Sequence, residues 1–295
     1  MPEVAVLAAD LARIAHGRRL VAASFRMESS LLPKIIPPET RRALRSLVGR
    51  RTQISSLAKH LVVRSGSTTI AVHLGMTGQF RIGSIPKRHR SHHLMTLSWG
   101  KSDCFFLDFR RFSRVRSVLP PGGMALGGFD PAHGFFLRSA RNLLQGLPAL
   151  TGLRSSPRIT WLLRHGATTG VGNYLANEAL GRLDLSPFAP CRDEDEALRI
   201  LRMCQQLAQR SFRAGGTSFG IGYFRLDGSE GKFSQRLAFY KNSSVRRTTF
   251  RNRSVYSRFT LRNPSAPAAT LGRVGLKNAS ISLALRRSPA PTSFS

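Results

Sequence analysis

The chain has 295 residues, 41% of them apolar, which is long enough for two domains with separate cores. Its 46 Lys and Arg against 15 Asp and Glu give a formal charge of +31, which calls for a polyanionic partner: nucleic acid, an anionic membrane or an acidic protein. No apolar run reaches the roughly 18 residues that span a bilayer, and no charged-then-apolar signal segment opens the chain, so a membrane is the weaker choice.

In chain order, apolar residues at Val4, Leu7, Leu11 and Ile14 predict an amphipathic helix running from Val4 to Leu20. The next hundred residues read as short strands. "HLVVRSGSTTIAVHLG" places two β-rich runs around a Ser-Gly-Ser turn, and "LMTLSW" and "CFFLDF" flank Gly100–Asp103 in the same way. Residues 1–122 are therefore expected to form a β-sandwich with a flanking helix, giving an α+β chain. "PPGGMALGGFDP" (120–131) is rich in Pro and Gly and predicts a hinge, taken as 123–145. From 146 to 225 the pattern is helical, in "ARNLLQGL", "ITWLLRHG", "YLANEALGRL" and "DEDEALRILRMCQQLAQRSF". The last of these starts with acids that complement a helix N-terminus. Residues 226–261 form a further segment, and 262–295, basic and rich in Ser, Ala and Pro, are expected to be disordered.

Cys104, Cys191 and Cys204 lack C-x-x-C spacing, so they support neither a disulfide framework nor a cysteine zinc site. The eight histidines lack metal spacing as well. No metal and no cofactor is implied. A reduced intracellular compartment fits, cytoplasmic or nucleoid-associated in a bacterium and nuclear in a eukaryote.

The opening "MPEV" carries chemistry of its own. With Met1 removed, Pro2 presents a secondary α-amine, a group that titrates near ~8 and forms imines with carbonyls and sugar C1′ positions. Alone, Pro2 is more simply the residue after the start codon. It is not alone: "MPE", "AKHLVV" (58–63), "HLGMTGQFRI" (73–82), "LDFRRF" (107–112), "TGVGNYLANEAL" (169–180) and "GGTSF…DGSEGKFSQRLAFY" (215–240) follow in order. This series resembles the formamidopyrimidine-DNA glycosylase/endonuclease VIII family of base-excision repair enzymes, over roughly residues 1–240.

The resemblance implies a bifunctional DNA glycosylase and AP lyase acting on oxidised bases. Pro2 would be the nucleophile that leaves a Schiff base, Glu3 the acid that shuttles protons at the sugar, and Lys59 the hairpin lysine that contacts phosphate. Met76, Arg110 and Phe112 would fill the gap left by a flipped nucleotide, although Met76 and Phe112 taken alone read as core residues. Asn173 would open a helix–two-turn–helix element that binds phosphate, with His93 and Arg154 as further DNA contacts and Arg158 near the latter. The implied partner is double-stranded DNA containing oxidised bases or abasic sites, bound by a monomer.

The sequence also departs from the family pattern. Val6 stands where a second acid is expected, Phe109 where proline is common, and Arg164–His165 where an acidic-amide pair is usual. No cysteine follows Cys204, so a four-cysteine zinc finger cannot form, and residues 226–261 are expected to be a degenerate, zincless finger or β-hairpin. Arg247 or Arg262 would stand in for the finger arginine. Two other classes stay open: a DNA-damage-binding protein that kept the scaffold without catalysis, and an RNA- or ribosome-associated basic protein.

Overall fold

The computed structural model describes residues 2–26, 32–100, 102–118, 153–164, 170–219 and 225–261. The expected hinge, the "ARNLLQGL" helix, Arg262 and the basic tail lie outside these residues.

Helix α1 spans Pro2–Ala15 and starts on proline, where a missing N–H costs no intrahelical bond, with Glu3 in the first turn. It ends earlier than the predicted Leu20. Gly17 adopts φ +68°, a left-handed conformation that stops a helix, and Leu20 instead opens strand β1 (Leu20–Phe25). A second correction falls at residues 32–45, which the strand reading did not separate. They form helices α2 (Leu32–Ile35) and α3 (Pro38–Arg45), the latter because Pro38 presets the first turn.

The remaining strands of this half are β2 (Gln53–Leu57), β3 (His60–Ser65), β4 (Thr68–His73), β5 (Gly78–Ile82), β6 (His93–Trp99), β7 (Ser102–Asp108) and β8 (Arg114–Val118). They build two antiparallel four-stranded sheets, ordered β1-β6-β7-β5 and β2-β3-β4-β8. Leu61, Val63, Ile70 and Val72 from one sheet and Phe80, Leu94, Leu97 and Phe106 from the other share one core with Leu7 and Leu11 of α1. The α+β class and the sandwich with its flanking helix follow from that alternation of apolar and polar residues.

The second half holds helices α4 (Arg158–Leu163), α5 (Asn173–Arg182) and α6 (Glu194–Arg213), then strands β9 (Arg246–Phe250) and β10 (Arg253–Ser257). Asp193 caps α6 by accepting the Glu196 amide at 2.7 Å. Trp161, Leu175, Leu180, Ile200, Leu207, Phe233 and Val255 form a separate core. β9 and β10 pair around Arg251 and Asn252, whose φ values of 48° and 60° are those of a two-residue type I′ hairpin turn.

The halves meet through α1, which packs on α6. Arg225 reaches back to Asp10 of α1 at 3.1 Å, and Leu226 is buried in the sandwich core with its carbonyl accepting the Ile82 amide at 3.1 Å. No helix among the described residues is long and apolar enough to cross a membrane.

Candidate active site

One end of the β2-β3-β4-β8 sheet gathers the motif residues. Lys59 sits at the β2–β3 turn beside Ala58, whose φ of 56° makes that turn tight. The neighbouring His60 pairs across the sheet with His73, their rings 5.1 Å apart, and His73 pairs in turn with Arg114. The loop carrying Met76 leaves from His73, and the loop carrying Arg110 and Phe112 arrives at Arg114. Register alone therefore brings Lys59, Met76, Arg110 and Phe112 to the same sheet end.

Both glycines of "HLGMTG" are sterically required. A Cβ on Gly75, which has φ +63°, would lie 2.8 Å from the Phe112 carbonyl carbon, and one on Gly78 would lie 2.3 Å from the Leu74 carbonyl oxygen. The two loops are then tied by Asp108, which is fully buried. Its Oδ1 accepts from Thr77 Oγ1 at 2.8 Å and the Arg110 amide at 3.1 Å, and its Oδ2 accepts from the Ser113 amide at 2.8 Å and Ser113 Oγ at 2.7 Å. Burial pushes this carboxyl up, but the Ser113, Thr77 and Arg110 hydrogen bonds outweigh it and hold the group below the ordinary aspartate value.

On this frame Met76 is 66% and Phe112 50% exposed, so neither is the core residue that composition favours. Arg110 lies between them, with Nη1 3.4 Å from Met76 Sδ and Cζ 4.9 Å from the Phe112 ring centre. The three side chains form one projecting cluster, apolar at its two flanks and cationic in the middle.

Pro2 and Glu3 are both buried at the start of α1, which packs against β2 and β3. Glu3 Oε1 accepts the Tyr174 hydroxyl at 2.9 Å, while Oε2 is buried with no hydrogen-bond partner among the described residues. Burial pushes the Glu3 carboxyl above its ordinary value, the leading effect on it. Lys59 is half-buried, and its ammonium is pushed down first by burial and then by the Arg253 guanidinium on the β9–β10 hairpin. The hairpin thus brings Arg253 into electrostatic range of Lys59. Arg247, one of the two arginines singled out from sequence, instead bonds Ser254 Oγ at 3.1 Å within the hairpin.

Asn173 is at the first position of α5, behind an N-cap glycine that makes no side-chain capping bond to the helix's first N–H groups. Its side chain is spent differently from the expected phosphate contact. Nδ2 donates to the Ser254 carbonyl at 2.8 Å, and Asn177, one turn on, accepts the Tyr256 amide at 2.6 Å. The two asparagines pair with β10 as a neighbouring strand would. Arg158 also differs from expectation. It is buried, ion-paired to Glu196 at 2.5 Å and bonded to the Ser186 carbonyl at 3.1 Å, so it organises the fold, whereas Arg154 is exposed. His93 is half-buried, 3.0 Å from Thr96 Oγ1 and edge-on to Phe105, and lines an open cavity of about 490 Å³ with Arg26 and Arg90. Burial lowers its pKa, which favours the neutral ring.

Sequence reasoning missed Glu178. Its fully buried carboxylate accepts the amides of Ala238, Phe239 and Tyr240 at 3.1, 2.6 and 2.8 Å and pairs with Arg182 at 3.0 Å. The only signal was an acid amid the apolar residues of "GNYLANEAL". Gly181 nearby is also required, since a Cβ there would meet the Phe239 ring at 2.3 Å.

Comparison with known proteins agrees with this architecture. The model of the formamidopyrimidine-DNA glycosylase N-terminal domain matches residues 1–115. The formamidopyrimidine-DNA glycosylase of Shewanella sp. (strain W3-18-1) is 32% identical over 196 residues, covering 64% of this chain and 69% of its own length. That of Thermus thermophilus is 32% identical over 193 residues, covering 61% of this chain and 66% of its own. Among solved structures, the MutM (Fpg) protein of Thermus thermophilus superposes with a TM-score of 0.71 at 27% identity, over 87% of this chain and 96% of that one. The complex of Lactococcus lactis Fpg with DNA containing an abasic site shares the fold, with a TM-score of 0.72 at 18% identity over 87% of this chain and 97% of that one. The chain belongs to the formamidopyrimidine-DNA glycosylase family.

Proposed function

We propose that the protein is a base-excision repair DNA glycosylase with AP-lyase activity, acting on double-stranded DNA through Pro2. The observation that carries this reading is the placement of Pro2 and Glu3 at the start of α1, packed on the hairpin of Lys59, with Met76, Arg110 and Phe112 projecting from the same sheet end. The names of the relatives point to formamidopyrimidine lesions, and a Lactococcus lactis Fpg variant has been solved with Fapy-dG-containing DNA.

In this reading the Pro2 amine attacks C1′, the C1′–N glycosidic bond breaks, and the base leaves with the bonding pair. The amine loses its proton, and C1′–O4′ then opens as Glu3 protonates O4′, leaving a C1′=N⁺ iminium. Loss of a C2′ proton expels the 3′-phosphate, and Lys59 offsets the anionic charge there. Met76 and Phe112 wedge into the stack vacated by the flipped nucleotide, and Arg110 faces the orphaned base. Phosphates lie on the first N–H groups of α5. Arg253, which opens the second strand of the β9–β10 hairpin, takes the place of the zinc-finger arginine in this reading.

The test is single-turnover incision of duplexes carrying a formamidopyrimidine, an oxidised pyrimidine or an abasic site, by protein beginning at Pro2. Base release with strand cleavage on at least one is expected. Tight lesion binding without cleavage on all three would assign the scaffold to damage recognition without catalysis.

A further inference from the structure

Tyr174 is the second residue of α5, and its side chain runs to α1. Four buried side chains form a chain of hydrogen bonds across elements: Glu3 on α1, Tyr174 on α5, Ser211 on α6, and Thr217 in the loop after α6. The Tyr174 hydroxyl is 2.9 Å from Glu3 Oε1 and 3.3 Å from Ser211 Oγ, and Ser211 Oγ is 3.1 Å from Thr217 Oγ1. A phenol has one proton. With that proton given to Glu3, Ser211 must donate to the phenol oxygen, and Thr217 stands beside Ser211 as a further hydroxyl of the network. Polarity therefore runs one way, toward the carboxylate. The ring is held independently, tilted against Phe219 and Tyr240 at 6.1 and 6.3 Å. Val6, buried one turn along α1, offers no hydrogen bond from the side where the family pattern expects an acid.

We propose that Tyr174 is a positioning residue for the reaction: its hydroxyl, fixed by Ser211, occupies Glu3 Oε1 and leaves the unpartnered Oε2 as the oxygen that exchanges a proton with the sugar. This rests on the reading of Glu3 as the acid at O4′. It also links DNA binding to chemistry, because the backbone that meets a phosphate and the side chain that sets the acid belong to one helix turn. Burial raises the Glu3 pKa above its ordinary value, while hydrogen bonds from its own backbone amide and from the Tyr174 and Thr217 hydroxyls pull it back down. On the elements packed against α1, β3 carries His60 and Arg64 with Lys59 at its tip, and α6 carries Glu194, Asp195, Glu196, Arg199, Arg202, Arg210 and Arg213, the last two nearest Ser211 in sequence. Asp10 and Arg13 are on α1 itself.

The experiment is the pH profile of single-turnover excision for wild type, Tyr174→Phe and Ser211→Ala. Removing a donor from the carboxylate raises the pKa of Glu3, so the alkaline limb, where protonated Glu3 is lost, should move up. The expected shift is about one pH unit in Tyr174→Phe, the size a charge-assisted hydrogen bond confers. Ser211→Ala keeps the Tyr174 donor and should shift the limb less, in the same direction. Superposable profiles, or lowered unfolding midpoints with no shift of the limb, would reduce Tyr174 to a packing residue and overturn the inference while leaving the enzymatic reading intact. A wild type that excises nothing would sink both.

Discussion

Replacing Asp108 by Asn tests whether the projecting cluster is built from below. The substitution is nearly isosteric, but one acceptor oxygen becomes an NH₂. The buried carboxylate takes four hydrogen bonds, two on each oxygen, and two of the four donors are the backbone amides of Arg110 and Ser113. Turned toward Ser113, the new side-chain amide leaves the Ser113 N–H facing a donor, at about 1–3 kcal/mol; turned the other way, it leaves the Arg110 N–H with only Thr77 Oγ1 at 3.0 Å and sets a donor against Thr77. The remaining bonds fall from charge-assisted to neutral, and the sum is about 2–4 kcal/mol. Denaturant unfolding at neutral pH should show that loss with an unchanged m-value. Lesion affinity should fall more than affinity for undamaged duplex, because the tie holds Thr77 next to Met76 and the 110–113 loop. The pH dependence follows from the depressed native pKa: the stabilisation is full above the unfolded aspartate value, near ~4, and is lost as pH falls through the native value. Asp108→Asn should remove that acid-dependent part. A variant as stable as wild type, with lesion discrimination intact, would refute the reasoning.

Met76→Ala and Phe112→Ala, both at exposed positions, should leave the unfolding midpoint within about 0.5 kcal/mol of wild type while weakening lesion engagement by a few kcal/mol or less; equal binding with lower stability would return them to the core. Glu178→Ala strands three backbone N–H groups and Arg182, so a loss of roughly 3–5 kcal/mol is expected in thermal or denaturant unfolding, with Glu178→Gln milder. Purified protein should carry no stoichiometric zinc by metal analysis, since no cysteine follows Cys204 and Asn173 and Asn177 anchor the hairpin.

What the sequence made legible was whatever depends on local pattern. Alternating runs such as "HLVVRS" and "TTIAVH" located the strands, and the spacing of glycines in "HLGMTG" marked loops that tolerate no Cβ. Pairings between distant segments were not legible. Arg158 looks like any solvated arginine until Glu196, 38 residues later, is seen to bury it. Asn173 sits where a phosphate contact was expected, yet its amide meets Ser254, 81 residues away. Glu178 reads as a break in an apolar helix face, and its role exists only once residues 238–240 turn their amides toward it. The end of α1 differs from the expected Leu20 because apolar spacing marks the helix only as far as Ile14, while the deciding feature is the backbone of one residue, Gly17. In each case the outcome was set by a partner, or by a φ angle, that periodicity does not encode.

The central claim is that Pro2 is the nucleophile, and the most direct test is to find the atom to which DNA becomes attached. Protein beginning at Pro2 is incubated with a duplex carrying an abasic site or formamidopyrimidine and reduced with borohydride, and the adduct is digested and sequenced by mass spectrometry. A single adduct on the α-nitrogen of Pro2 is expected, absent from protein that retains Met1. An adduct on Lys59 or another lysine, or equal trapping with Met1 in place, would contradict the claim.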